Sequence, residues 1–297
     1  MRQGGKRRLA DALARIEARP DDPAVQSLLD TAWSQQTGHA IGFTGPPGVG
    51  KSSLVSALLA ALRHQGRSVA VLAVDPSSRR SGGALLGDRA RIAADPADPA
   101  IFVRSMAARD QLGGLAELAM PVTVLFRALY DVVLIETVGV GQSETEIADL
   151  ADWVVFCAQP GSGDSLQFMK AGVVEIPDLA VVCKADMDDA ARRAVADLKG
   201  ALSLAVRKGA PPEVLAVSAR TGAGIDDLAA RLGRPSAPDA ARRQAQGAAW
   251  IRATLVARFG REGLASLGDA ADRVPGDSPF ARVRIASTIL RGRLSVK

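Results

Sequence analysis

Gly45-Pro46-Pro47-Gly48-Val49-Gly50-Lys51-Ser52 matches G-x-x-x-x-G-K-[ST] at every fixed position. A short apolar run, residues 40–44, precedes it, and an apolar helical pattern, 53–62, follows it. Strand, glycine-rich loop and helix in that order form a phosphate cradle. The glycines let successive backbone N–H groups curve around phosphate oxygens, and the helix N-terminus adds its partial positive charge. In this arrangement Lys51 reaches the β- and γ-phosphates and Ser52 ligates Mg2+, while Gly45, Pro46, Pro47, Gly48, Val49, Gly50 and Ser53 complete the nucleotide-binding loop.

Outward from the loop, the alternation of strand and helix continues. Uninterrupted apolar runs occupy residues 69–74, 101–103, 132–135, 153–157, 179–183 and 214–217, with helix-length segments between them. Runs of this kind are strands buried on both faces. The expected fold is therefore α/β, a P-loop NTPase core with a mostly parallel sheet between helices, and its site belongs at the carboxyl ends of the strands. Residues 8–35 read as two helices separated by Pro20 and Pro23, which makes 1–38 an N-terminal helical arm. The nucleotide-binding domain is expected over 39–234. A linker at 235–238 then opens a C-terminal helical extension, 235–297, whose long helix at 240–259 offers Trp250, Ile251, Leu255, Val256 and Phe259 for packing.

Two carboxylates end strands near the cradle. Asp75 follows the run 69–74, and Glu136 follows 132–135. Such a residue can simply cap a sheet, but beside a P-loop it is placed to hold Mg2+ directly or through water. Thr137 and Gly139 come next, and a glycine here lets the chain approach the γ-phosphate. After 179–183, Lys184-Ala185-Asp186 has the arrangement that reads guanine. A carboxylate accepts two parallel hydrogen bonds from guanine N1–H and N2–H2, which adenine does not offer, and the lysine stem lies along the base plane. Ser218-Ala219-Arg220, also after a strand, supplies the loop that closes over the base. GTP and GDP are thus expected in preference to ATP.

Composition excludes other classes. The net charge of +5 could suggest nucleic acid, but the arginines are interspersed with Asp and Glu, and aromatic residues are only 4%, so stacking platforms are missing. No nucleic-acid partner is expected. No run of 18 apolar residues occurs, and residues 1–10 lack the apolar core of a secretory signal, so a cytoplasmic protein without membrane association is expected. Cys157 and Cys183 end apolar runs and read as buried free thiols.

These motifs, in their order, resemble the MeaB/ArgK family, the G-protein chaperones of adenosylcobalamin-dependent acyl-CoA mutases within the SIMIBI class of P-loop GTPases. The resemblance extends from residue 11 to about 232, and its marks are G-F-T-G-P-P-G-V-G-K-S-S-L at 42–54, V-L-A-V-D-P-S-S at 71–78, G-G-A-L-L-G-D-R-A-R at 82–91, V-L-I-E-T-V-G-V-G-Q-S-E at 133–144 and P-G-S-G-D-S-L-Q at 160–167. It implies that Asp75, Asp88 and Glu136 lie near the metal, that 76–91 and 138–144 are two mobile switches, and that 161–166 is a third. In that third segment Asp164 would sense the nucleotide and couple it to the mutase. It also implies a homodimer, with the C-terminal extension at 235–297 as the expected dimerisation element. Two positions depart from the family pattern: Cys183 replaces the asparagine whose amide bridges the base region and the P-loop, and Ser162 stands where related chaperones can carry lysine.

No residue stands out as a general base. Gln142 is close enough in sequence to orient water, and could equally sit on the surface. Two other classes share the cradle. A small-molecule P-loop kinase would need adenine preference, against Lys184 and Asp186; a metallochaperone GTPase would need a soft-ligand cluster, whereas the histidines are only His39 and His64 and the two cysteines lie apart in sequence.

Overall fold

The computed structural model describes residues 5–76, 92–108, 116–137, 146–161, 175–203, 210–234, 239–268 and 274–294. Among the described residues, seven strands form one sheet: β1 (His39–Thr44), β2 (Val69–Pro76), β3 (Ile101–Ala108), β4 (Val132–Thr137), β5 (Trp153–Ala158), β6 (Leu179–Val182) and β7 (Glu213–Ala216). Their order is β3-β2-β4-β1-β5-β6-β7, and every pairing is parallel. The strand runs read from sequence are all present, within a few residues at their ends.

Alternate residues of each strand feed two cores, which is why the runs carry no polar alternation. Ala40, Leu72, Val133 and Val154 face α1 (Gly5–Ala18), α2 (Pro23–Ser34), α4 (Ala116–Leu129), α7 (Ala240–Leu267) and α8 (Pro279–Leu294). Ile41, Val71, Leu134 and Val155 face α3 (Lys51–His64) and α6 (Ile225–Leu232). A smaller cluster joins Phe156 and Val182 to Leu198 of α5 (Asp189–Ser203).

The terminal helices pack on the same core as the sheet. Asp22 caps α2, its carboxylate accepting the Ala24 N–H at 2.8 Å, and Pro23 opens the first turn. Leu13 and Leu29 are fully covered beside Phe126 of α4, and the Trp250 and Phe280 rings meet edge to face at 5.0 Å. The long C-terminal helix runs to Phe259, as its apolar pattern indicated, and a second, shorter helical segment follows it to Leu267. Gly260, with φ 70° and ψ 174°, breaks the helix there, and Leu267 of the following segment returns to the core.

A buried ionic clamp fastens α7 to the amino-terminal edge of the sheet. Asp152 lies 3.1 Å from Arg127 Nη2 and 3.2 Å from Arg243 Nε, and accepts the Ala40 N–H at 2.7 Å. Burial pushes the Asp152 carboxyl up, but the Arg127 and Arg243 guanidinium groups outweigh it and hold the carboxyl below its ordinary 3.8. Burial in turn pulls Arg127 down to about 10. Asp152→Ala strands two buried cations, so unfolding free energy is expected to fall by about 3 kcal/mol at neutral pH, measured by urea denaturation. Because the folded carboxyl titrates below the unfolded one, this stabilisation is complete above the ordinary carboxylate range. It disappears as pH falls through the lowered value.

Candidate functional site

With all seven strands parallel, their carboxyl ends share one edge, and β1 lies there between β4 and β5. The phosphate loop leaves β1 at this point. Gly45 has φ +135°, and a Cβ on it would fall 2.2 Å from the Cys157 carbonyl oxygen, so only glycine fits. Gly50, left-handed at φ +106°, turns the chain into α3. Lys51 is 5% exposed, and its ammonium donates to the carbonyls of Gly45 at 2.7 Å and Pro46 at 3.0 Å. These contacts hold the cation inside the curve of the loop, where phosphate oxygens, being charged, are stronger acceptors than carbonyls.

The β1–β4 register places Glu136 opposite Phe43, one residue before the end of β1. Ser52 Oγ accordingly donates to Glu136 Oε1 at 2.5 Å, and Thr137 Oγ1 donates to the Phe43 carbonyl at 3.3 Å. Two hard oxygen donors at the mouth of a phosphate loop fit Mg2+, which takes one or two protein ligands and completes its shell with phosphate and water. Among the described residues no three His, Cys, Asp or Glu side chains converge as a metal-ligand cluster. Asp75 is in β2, its backbone opposite Ala107; its side chain, together with Asp88, Gln142, Ser162 and Asp164, lies outside the described residues.

The second half of the site is built at the ends of β6 and β7. Lys184 adopts φ +57°, a conformation few side-chain-bearing residues take and one that concentrates at binding sites. Its ammonium donates to the Gly48 carbonyl at 3.2 Å and also to Gln159 Oε1. Asp186 Oδ1 accepts from Ser218 Oγ at 2.5 Å, and Oδ2 accepts from Arg220 Nε at 2.8 Å. The Ser218 hydroxyl first, and then the Arg220 guanidinium, hold this carboxyl below its ordinary 3.8, so it is an ionised acceptor at neutral pH. The Ala185 N–H bonds the Val217 carbonyl at 2.9 Å and locks the two loops together. A cavity of about 700 Å3 opens between Gly50, Ser53, Lys184, Asp186, Ala219 and Arg220.

The structure therefore brings Lys51, Ser52 with Glu136, and Lys184, Asp186, Ser218 and Arg220 to one rim. Ser218 has a more specific place than loop closure, since it orients Asp186. Gln159 was missed by the sequence reading, although its position immediately after β5 is a signal in a fold that assembles its site from strand ends. Cys183 is 4% exposed and shares a hydrogen bond with Cys157; that bond, with burial, pushes the Cys157 thiol well up. Both cysteines are free, as expected. His39 is a structural residue, its Nε2 lying 2.6 Å from the Leu232 carbonyl.

A parallel sheet with a glycine-rich phosphate loop at the point where strand order reverses, beside a carboxylate that meets the loop serine, defines a P-loop nucleotide hydrolase. Residues 9–259 match the family described as Methylmalonyl Co-A mutase-associated GTPase MeaB, and the chain belongs to that family. It is a GTPase of the mutase-associated class. The GTPase ArgK of Escherichia coli K12 is 39% identical over 236 residues, which span 77% of this chain and 71% of ArgK. The mouse (Mus musculus) mitochondrial protein named methylmalonic aciduria type A homolog is 42% identical over 193 residues, 63% of this chain and 46% of that one. Among solved structures, one titled LAO/AO transport system kinase superposes with a TM-score of 0.64 at 29% identity, covering 98% of this chain and 95% of that one.

Proposed function

We propose that this GTPase is a chaperone of an adenosylcobalamin-dependent acyl-CoA mutase, in which GTP binding and hydrolysis gate loading or protection of the mutase cofactor. The observation that carries the nucleotide half of the reading is the Lys184 ammonium on the Gly48 carbonyl, which joins the base loop to the phosphate loop beside the cavity. The family match supports the mutase half.

In this reading the loop N–H groups and Lys51 bind the β- and γ-phosphates, and Ser52 and Glu136, with Asp75 and Asp88, hold Mg2+. When bound there, Mg2+ would supply positive charge to the phosphate oxygens during transfer to water. Asp186 accepts the guanine N1–H and N2–H2, the Lys184 stem lies along the base, and Ser218 keeps the carboxylate turned. Arg220 is 74% exposed on its side chain, so its pairing with Asp186 yields to the base at little cost. Ala219 and Arg220 then cover the nucleotide edge. Gln142 orients the attacking water, and Asp164 couples the nucleotide state to the partner. GTP orders residues 76–91 and 138–144, and release of phosphate frees them.

The protein is proposed to act in the cytoplasm; no helix among the described residues is long and apolar enough to cross a membrane. A homodimer is proposed from the resemblance. Because Trp250, Ile251, Leu255 and Phe280 are buried against this chain's own sheet, the dimer would use other surfaces. A monomeric mass at micromolar concentration, with and without nucleotide, would count against it.

GTP turnover of the purified protein alone and with candidate mutases tests the proposal. Slow intrinsic hydrolysis should rise at least about tenfold with the cognate mutase, since a partner that completes a P-loop site typically contributes far more than this. Turnover as fast without any mutase as with the full candidate set would contradict it.

A further inference from the structure

We propose that Gln159 is a positioning residue for guanine-nucleotide binding, fixing Lys184 and through it the junction between the base loop and the phosphate loop. The inference rests on the reading of Lys184 and Asp186 as the base loop. Position 183 lies beside the phosphate loop: the Cys183 Cβ is 3.8 Å from where a Cβ on Gly50 would stand. A thiol is a weak hydrogen-bonding group, and this one is engaged with Cys157. The bond that spans the junction comes instead from Lys184 Nζ to the Gly48 carbonyl.

An ammonium on a four-carbon stem samples many rotamers, and ordering it on nucleotide binding costs conformational entropy. Gln159 removes much of that cost beforehand. Its Oε1 accepts from the same ammonium that reaches Gly48, so the stem is held at the junction of the two loops, beside the cavity, before a base arrives. Gln159 follows β5 directly and is half-buried, while Lys184 is held by its left-handed backbone, so both ends of the contact are anchored. The glutamine acts on the lysine, so its effect is read in nucleotide affinity.

Calorimetric titration of GDP and ADP, each with Mg2+, into the full chain and its Gln159→Leu, Gln159→Asn, Cys183→Asn and Gln159→Leu/Cys183→Asn variants separates the possibilities. A wild-type protein without preference for GDP would overturn the base-loop reading itself, whatever the variants do. Given that preference, Q159L and Q159N, the latter one methylene too short, should each weaken GDP roughly tenfold, the scale of one charge-assisted hydrogen bond near a surface. Their melting temperatures without nucleotide should match wild type. An amide at position 183 lies against the phosphate loop and offers a second route across the junction, so C183N should tighten GDP more in the Q159L background than in wild type. Wild-type affinity in both Gln159 variants, or an equal effect of C183N in the two backgrounds, would overturn the role of Gln159. Should Q159L unfold, Q159N and its own double variant with C183N decide the matter by the same criteria.

Discussion

Lys51→Ala is expected to lower kcat/KM for GTP by on the order of 1000-fold, because in the proposed mechanism it removes a cation that the loop aims at the transferring phosphoryl group. The side chain is 5% exposed and its ammonium sits on the Gly45 and Pro46 carbonyls, so the charge acts in a partly water-excluded setting where it is worth more than at the surface. The same variant should keep its fold. Gly45 is fixed by its approach to the Cys157 backbone and Gly50 by its left-handed turn, neither of which uses Lys51. Steady-state phosphate release and thermal melting, measured side by side, check both halves. A melting point near wild type together with lost turnover assigns the residue to phosphate binding, whereas residual turnover above a tenth of wild type would contradict that role.

Asp186→Asn should weaken GDP binding by on the order of 1000-fold, since a site built to hydrogen-bond a particular edge rejects a mismatched one by large factors. Ser218 Oγ donates to Oδ1, so in the variant this hydrogen bond favours the amide oxygen at that place and turns the amide nitrogen toward the position of Oδ2. An N–H donor then faces the guanine exocyclic amine, donor against donor. Xanthine carries a carbonyl there in place of the amine, so the variant should gain affinity for XDP as it loses GDP. Equilibrium titration with both nucleotides reads the exchange. Loss of GDP without any gain of XDP would mean that Asp186 supports the loop without reading the base.

The phosphate half of the site was legible in the sequence because its chemistry depends on backbone. Glycines at fixed spacing specify left-handed turns, and the apolar runs on either side specify a strand and a helix. Glu136 was legible for a related reason, as it ends a run that had to be buried on both faces and therefore had to deliver it to the strand-end edge. The seven strands followed from the same runs. Contacts made between strands that are distant in the chain were not legible. Nothing in the run 153–157 says that the residue two beyond it will meet Lys184, because that depends on β5 and β6 being neighbours and on their register. The Asp152 clamp was hidden for the same reason, as its partners Arg127 and Arg243 come from helices 116 residues apart in sequence. The packing of α1 and α2 onto the sheet core, in company with α8, likewise depends on how their apolar faces find one another and not on periodicity alone.

The most direct test of the account is calorimetric titration of GDP and ADP, each with Mg2+, into the nucleotide-free protein. The account predicts clear saturable GDP binding and negligible ADP binding, with Asp186 reading guanine despite the thiol at position 183. Comparable or tighter binding of ADP would contradict it and would mean that Cys183 marks a change of base specificity.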